Sequence, residues 1–120
     1  MEFFTPERLN GARLVGLYTP GSPEWHAERG LGIGGSEVGT ILGLNQWESA
    51  YALWAKKLNL IPSEIKENWA IRFGKAFEAP ILNLWAEEHP EYEVFETGTY
   101  ADEFCDYRRA NPDEIGRAHV

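Results

Sequence analysis

An acidic residue, Glu78, lies in a stretch whose apolar residues repeat at helical spacing. When residues 70–85 are projected at about 100° per residue, the apolar side chains fall within an arc of roughly 200°, and Glu78 lies inside that arc. A carboxylate on a core-facing surface is costly unless it is paired, protonated or bound to a metal ion. Two interpretations stay open: either the helix turns away after Pro80 and Glu78 reaches solvent, or Glu78 is a functional acid.

A second acid, Asp113, follows a predicted strand in the run Asn111-Pro112-Asp113. Taken alone, this run is typical of a turn. Mg²⁺ in proteins takes one or two carboxylates and keeps several waters, so a helix and a strand that each supply one acid are a suitable source of ligands. The prediction is that Glu78 and Asp113 point into one cleft and share a Mg²⁺ ion there.

A glycine-rich loop, Gly32-Ile33-Gly34-Gly35-Ser36, leads directly into a predicted helix. Glycines such as Gly34 and Gly35 let the backbone turn its N–H groups toward one point, and a helix N-terminus adds partial positive charge. The hydroxyl of Ser36 and the guanidinium of Arg29 would complete a phosphate site. The alternative is an ordinary helix start, because a serine after glycines is a common N-cap.

These residues must be positioned by helices whose starts and ends the sequence marks. A capping residue, or a proline at the first helical position, predicts where each helix begins. The longest pattern is interrupted by Pro80, which predicts a kink or a junction, and Pro90 ends it. The predicted helices begin at Thr5-Pro6, run from Ser22 to Arg29, from Ser36 to Gly43, from Ser49 to about Leu58, and from Asn68 to about Glu88.

After Pro90 the chain becomes richer in aromatic and β-branched residues. Residues 92–97 and 104–110 are predicted strands, joined around residues 98–103. Helices followed by strands indicate an α+β fold in which the chain ends as the sheet begins.

Composition and charge exclude several classes of protein. The hydrophobic share of 43% and the charged share of 25% are typical of a globular chain, and the apolar runs are too short for a membrane span. No secretory signal is recognisable, and the single Cys105 excludes an internal disulfide and a thiolate cluster, which fits a reducing cytoplasm. The net charge of −8 argues against a protein that simply coats nucleic acid.

The acidic charge is concentrated at the C-terminal end. Residues 1–86 carry eight Lys/Arg and nine Asp/Glu, and residues 87–120 carry three Lys/Arg and ten Asp/Glu. Most of these acids are expected to form a solvated face, with a minority available as metal ligands.

Four segments occur in order between residues 25 and 113. They are Arg29 with Gly32-Ile33-Gly34-Gly35-Ser36-Glu37, then Ile41-Leu42-Gly43-Leu44 with Leu53-Trp54, then Gly74 with Phe77-Glu78-Ala79-Pro80-Ile81, and finally Ala110-Asn111-Pro112-Asp113. Each segment is degenerate, but in this order and spacing they resemble the YqaJ-like viral recombinases, relatives of lambda exonuclease.

The resemblance implies a restriction-endonuclease-like core, a mixed central sheet with flanking helices. It implies Mg²⁺-dependent hydrolysis of duplex DNA from an end, in the cytoplasm of a bacterial host cell. Glu78 would match the helix-borne acid, Asp113 the metal-binding aspartate, and Arg29 with Ser36 the pair that contacts phosphate. A ring-like homo-oligomer and a single-strand annealing protein as partner are also implied.

Two departures from the family pattern stand out. Asn111 stands where a serine is usual, and the Glu-x-Lys pair expected on the next strand is absent. Its lysine and glutamate would help to position the metal and activate water. Residues 1–113 are therefore predicted to be the N-terminal part of a nuclease domain, which as a fragment is inactive and leaves Phe73, Phe77 and Leu84 partly uncovered.

The last seven residues, 114–120, do not resemble the family, in which a glycine is expected after Asp113. They match the in-frame translation of a common sequencing adapter (GAG ATC GGA AGA GCA CAC GTC). We therefore expect a non-native tail here, and His119 is not considered a ligand.

Two other classes of function remain as alternatives. A non-catalytic nucleic-acid-binding module would use tryptophans to stack bases, although no basic stripe lies between them and Trp54 and Trp85 have helical core spacing. A phage protein-interaction module is favoured only by the acidic second half. The tryptophans are Trp25, Trp47, Trp54, Trp69 and Trp85.

Overall fold

The computed structural model describes residues 2–62 and 68–118. The fold is α+β, as predicted, but two strands precede the helices. The helices are α1 (Pro23–Gly30), α2 (Val38–Ile41), α3 (Ala50–Lys57) and α4 (Trp69–Glu88), and a 3-10 turn, Gly35–Glu37, leads into α2. The strands are β1 (Arg8–Leu9), β2 (Ala12–Gly16), β3 (Tyr92–Phe95), β4 (Thr99–Asp102), β5 (Arg109–Ala110) and β6 (Ile115–Ala118).

Three helices begin where the sequence predicts, because each has a polar side chain that caps its first free N–H groups. In each case the capping oxygen accepts a hydrogen bond from the backbone N–H three residues later. The bonds are Trp25 to Ser22 at 3.2 Å, Ala52 to Ser49 at 3.1 Å and Ile71 to Asn68 at 2.9 Å.

The predicted helix at Thr5-Pro6 is wrong, because this part of the chain is extended. Phe3 bridges Glu96 in parallel, and β1 and β2 form an antiparallel hairpin. The hairpin turn consists of Asn10 (φ 49°) and Gly11 (φ 82°). Asn-Gly is the residue pair that a tight hairpin turn with two positive φ angles prefers, and it outweighs the capping pattern before it.

Pro80 does not divide the long helix into two, because α4 continues past it to Glu88. The proline ring removes one donor, the N–H that would bond the carbonyl of Ala76. The helix therefore carries Glu78 in its middle.

The predicted strand positions near the C-terminal end are partly wrong. Residues 99–102, expected to connect two strands, form the buried strand β4, and most of residues 104–110 form the turn that follows. The turn is fixed by Asp102, whose carboxylate accepts the N–H of Phe104 at 2.8 Å and of Cys105 at 2.9 Å. An aspartate that binds the backbone two and three residues ahead favours a turn over a strand.

The strands form two antiparallel sheets. The larger sheet has the order β1-β2-β4-β5, and the smaller one pairs β3 with β6. The strand β6 belongs to the segment predicted to be a non-native tail, and residues 119 and 120 of that segment lie outside the described residues.

Thr99, Tyr100 and Ala101 of β4 are buried, as is Gly98 directly before them. The other buried residues among those described are Gly32, Thr40 of α2, Leu53 and Ala55 of α3, and Phe95 of β3. By contrast, α4 has no buried residue, and Phe73, Phe77 and Leu84 expose 48%, 47% and 60% of their surface. The radius of gyration is 16.0 Å, against about 14 Å for a compact domain of this length.

No helix in residues 2–62 and 68–118 has the length and apolar character needed to cross a membrane.

Candidate functional site

A cleft of about 880 Å³ brings together residues from distant parts of the chain. One wall is α4, which contributes Lys75, Glu78, Ala79 and Leu82. The opposite wall consists of the segments that follow β2, β3 and β5, together with the first residue of β4 and two residues of α1. The lining residues of these segments are Leu17, Tyr18, Thr19, Pro20, Trp25, Arg29, Glu96, Thr97, Gly98, Thr99, Asn111, Pro112, Asp113 and Glu114, with Phe3 beside them.

The carboxyl groups of Glu78 and Asp113 meet in this cleft and form a hydrogen bond. That hydrogen bond is the largest cause of a raised pKa at Glu78; partial burial and the negative charges of Asp113 and Glu114 raise it further. Two carboxylates in contact repel each other when both are ionised, and a cation between them would relieve that repulsion. The structure places the helix acid Glu78 and the strand acid Asp113 in one cleft, where Glu78 is also exposed to solvent, and a shared metal ion stays a prediction.

The position of Asp113 is fixed by the strand before it. β5 pairs with β4 in the register Tyr100 to Ala110, and the Thr99 hydroxyl donates to Asn111 Oδ1 at 2.6 Å. Because Thr99 is buried, this bond fixes the position of the Asn111 side chain. Asp113 follows two residues later and lines the cleft. The family that the sequence resembles usually has serine at this position. Here Asn111 has Thr99 as its hydrogen-bond partner.

Two further acids line the cleft that sequence reasoning did not select, Glu96 and Glu114. Burial is the main cause of a raised pKa at Glu114, and the charges of Glu96 and Asp113 add to it. One oxygen of Glu114, Oε2, is buried without a hydrogen-bond partner. No local pattern marked either residue, since Glu96 follows a strand and Glu114 belongs to the predicted tail.

Arg29 lies in the last turn of α1 and lines the same cleft. Its guanidinium carbon is 4.7 Å from the centroid of the Trp25 ring, which also lines the cleft. Stacking on an indole restrains a guanidinium while leaving its N–H groups available to an anion. Lys75, three residues before Glu78 on α4, is a second cation in the lining that sequence reasoning missed. Residues three apart lie on the same face of a helix, so the spacing of Lys75 and Glu78 was the sequence signal that pointed to Lys75.

The glycine loop is attached to β5 rather than to the cleft. Ile33 bridges Arg108 in parallel; its N–H donates to the Tyr107 carbonyl at 2.7 Å, and its carbonyl accepts the Arg109 N–H at 3.0 Å. Gly32 is required at this contact, since a Cβ there would lie 2.7 Å from the Tyr107 carbonyl oxygen. The loop and the strand that leads to Asp113 are thus joined.

The predicted phosphate-binding residues are only partly brought together. Arg29 faces the cleft, whereas Gly34, Gly35 and Ser36 are not among its lining residues. The N–H of Gly34 donates to Glu37 Oε1 at 2.8 Å, and Gly35 and Ser36 belong to the 3-10 turn. A phosphate contact by these three residues stays a prediction.

The cleft has the donors that a hard divalent cation prefers. Glu78 and Asp113 supply carboxylate oxygens, and the contact with Asp113 that raises the pKa of Glu78 would favour a bound cation. No group of three or more His, Cys, Asp or Glu side chains is arranged as metal ligands in the part of the chain that the structure describes. Two carboxylates fit Mg²⁺, which takes its remaining ligands from water and substrate phosphate.

Comparison with known proteins decides the family. A family model described as the YqaJ-like viral recombinase domain matches residues 24–119, well over half of the chain. The chain belongs to this family. Arg29, Ser36, Glu78 and Asp113 all lie within the matched range of the YqaJ-like domain. That range also includes most of residues 114–120, whose non-native origin remains a prediction.

Curated relatives cover a shorter segment of this YqaJ-like chain. The YqaJ protein of Bacillus subtilis (strain 168) is 42% identical over 55 residues, which are 46% of this chain and 17% of that protein. Protein D345L of African swine fever virus (strain Badajoz 1971 Vero-adapted) is 39% identical over 57 residues, 48% of this chain and 16% of that protein. The chain therefore aligns with about a sixth of the length of these relatives. No solved structure matches the chain.

Proposed function

We propose that this chain is the N-terminal part of a phage-type DNA exonuclease that acts in recombination and hydrolyses phosphodiester bonds of duplex DNA with Mg²⁺. The observation that carries the proposal is the hydrogen-bonded pair Glu78 and Asp113 in a cleft that also contains Arg29. Membership of the YqaJ-like viral recombinase domain family supports it.

The charges in the cleft favour a metal-dependent mode of binding. A DNA phosphate would be repelled by Glu78 and Asp113, and more so with Glu96 and Glu114 nearby. A divalent cation held by the acid pair would reverse this field and so attract the phosphate. The acids are therefore poorly suited to passive DNA binding and well suited to holding a cation and a phosphate together.

The residues of the chain take distinct roles in this proposal. Glu78 and Asp113 would hold Mg²⁺, which would stabilise charge on the phosphate and lower the pKa of a bound water. Arg29, stacked on Trp25, contacts the DNA phosphate with its free N–H groups. The Glu-x-Lys pair predicted to follow in the complete protein would finish the site, so residues 1–113 alone are expected to be inactive.

The fold and setting of the complete protein follow from the same proposal. We expect a restriction-endonuclease-like core, with the strands described here at one side of its mixed sheet. A ring-like homo-oligomer, a single-strand annealing protein as partner and the cytoplasm of a bacterial host are the surroundings expected for such an enzyme.

The test is a degradation assay with the complete protein, end-labelled duplex DNA and Mg²⁺. Glu78→Gln and Asp113→Asn should each lower the rate by at least about a hundredfold, because each removes a metal ligand. Glu87→Gln, on the same helix but outside the cleft lining, is the matched control and should keep the wild-type rate. Equal rates for all four proteins would exclude the acid pair from catalysis.

A non-catalytic nucleic-acid-binding module is the second candidate, because Trp47 and Trp69 are largely exposed and Trp54 and Trp85 are also not buried as core residues. Exposed indoles can stack on bases. This candidate predicts DNA binding without cleavage by the complete protein, and no loss of binding in Glu78→Gln.

A further inference from the structure

One ammonium group, that of Lys57, joins the end of α1 to the glycine loop. Lys57 Nζ donates to the carbonyl oxygen of Arg29 at 2.7 Å and lies 2.7 Å from Glu37 Oε2. Both partners of this ion pair are largely buried, since their side chains are 18% and 14% exposed. A buried ion pair that also satisfies a backbone carbonyl holds its neighbours in one geometry.

Glu37 extends the connection to the loop. Its Oε1 accepts the N–H of Gly34 at 2.8 Å and lies 2.9 Å from Lys57 Nζ. The carbonyl of Arg29 is one of the last of α1, where the helix leaves carbonyl groups without intrahelical partners and carries partial negative charge. The lysine therefore satisfies the helix end and, through Glu37, fixes the loop that follows it.

The backbone of Arg29 is thus held on one side while its side chain faces the cleft on the other. The guanidinium lies over Trp25, so its reach into the cleft depends on where the last turn of α1 is placed. Displacement of a contact group by about 1 Å is enough to weaken binding substantially.

The neighbouring lysine provides an internal comparison. Lys56, on the same helix, forms an ion pair with Glu48 instead. Neither Lys56 nor Glu48 contributes to the cleft lining. A change at Lys56 therefore removes a lysine and an ion pair from α3 without touching Arg29.

We propose that Lys57 is a positioning residue for DNA binding: through the Arg29 carbonyl and Glu37 it places the Arg29 guanidinium in the cleft. This inference rests on the proposed function, in which Arg29 contacts a DNA phosphate. Lys57 itself does not line the cleft, so it acts through Arg29.

The test is a double-mutant cycle on the complete protein. The affinity for a labelled DNA duplex is measured by fluorescence anisotropy at several salt concentrations, with Ca²⁺ in place of Mg²⁺. Arg29→Ala should weaken binding and lower the salt slope by about one unit, as expected when one phosphate contact is lost. Lys57→Met should weaken binding by about three- to tenfold and lower the slope in the same way. In the Arg29→Ala background, Lys57→Met should have no further effect, and Lys56→Met should match the wild type.

A second variant covers the case in which Lys57→Met does not fold. Glu37→Gln keeps an acceptor for the Gly34 N–H but removes the charge that holds Lys57. It should weaken binding less than Lys57→Met and likewise have no further effect once Arg29 is replaced. Thermal melting of every variant shows which are folded.

The outcomes separate the inference from the proposal on which it rests. Unchanged binding in Arg29→Ala would refute the phosphate contact itself and, with it, the role of Lys57. Weaker binding in Arg29→Ala but wild-type binding in Lys57→Met and Glu37→Gln would refute only the positioning role. Losses that add fully in the double variants would also refute it, because a general structural defect acts independently of Arg29.

Discussion

Glu78, in the middle of α4, and Asp113, directly after β5, share a hydrogen bond between their carboxyl groups. The negative charge of Asp113 adds to the effect of this hydrogen bond in raising the pKa of Glu78. When both carboxyl groups are ionised they repel each other, and a divalent cation held between them would relieve that repulsion.

The raised pKa of Glu78 predicts how stability depends on pH. A carboxyl whose pKa is higher in the folded state binds its proton more tightly there, so its stabilising effect is present below its usual pKa of about 4.3. The effect is lost as the pH rises through the folded-state pKa. Melting temperatures measured in EDTA should therefore fall less between pH 4 and pH 7 for Glu78→Gln than for the wild type, and Glu87→Gln should follow the wild type. Parallel curves for all three proteins would contradict the raised pKa of Glu78.

Arg109 should be important for stability although it is outside the cleft. Its side chain is 6% exposed, lies 3.0 Å from Glu28 Oε2 and donates from Nε to the Asp106 carbonyl at 2.8 Å. Replacement by Met removes the ion pair with Glu28 and the hydrogen bond to the Asp106 carbonyl, which costs about 1–3 kcal/mol. Denaturant unfolding of the complete protein measures this loss. Arg108→Met is the control, because Arg108 is largely exposed and 3.9 Å from its partner Asp102. An equal effect for both variants would refute the special role of Arg109.

Residues 1–113, expressed alone, should be poorly stable and inactive. Phe73, Phe77 and Leu84 of α4 are about half exposed, and two of them, Phe73 and Phe77, stack with ring centroids 4.3 Å apart. A few hundred Å² of exposed apolar surface, at about 25 cal/mol per Å², amounts to several kcal/mol, comparable to the stability of a small domain. The fragment should melt without a cooperative transition and bind a hydrophobic dye. A cooperatively melting fragment that degrades duplex DNA would contradict both expectations.

The helix starts could be predicted because capping is local. Ser22, Ser49 and Asn68 each bond an N–H three residues ahead, and the capping residue is visible in the sequence. Asn10-Gly11 is an equally local signal, since Asn-Gly is typical of a hairpin turn. The predicted helix at Thr5-Pro6 does not take this signal into account and is wrong, because the hairpin forms.

The contacts that assemble the site could not be predicted from the residues alone. Lys57 and Glu37 are 20 positions apart, and Arg109 and Glu28 are 81 positions apart. Neither spacing corresponds to a helix or strand repeat, so only the tertiary structure brings these charges together. Glu78 and Asp113 are marked in the sequence for another reason: Glu78 interrupts an apolar helical pattern, and the family resemblance implies that both acids belong to one site. Their place in one cleft agrees with this, and their shared role in metal binding stays a prediction.

The central claim is that Glu78 and Asp113 together hold a divalent cation, and direct metal binding tests it best. Isothermal titration of Mn²⁺ or Mg²⁺ into the complete, metal-free protein should show saturable binding at neutral pH, where carboxylates are available as ligands. Glu78→Gln and Asp113→Asn should each weaken binding by about ten- to a hundredfold, and Glu87→Gln should bind as the wild type does. Equal metal affinity in the wild type and in both acid variants would contradict the claim.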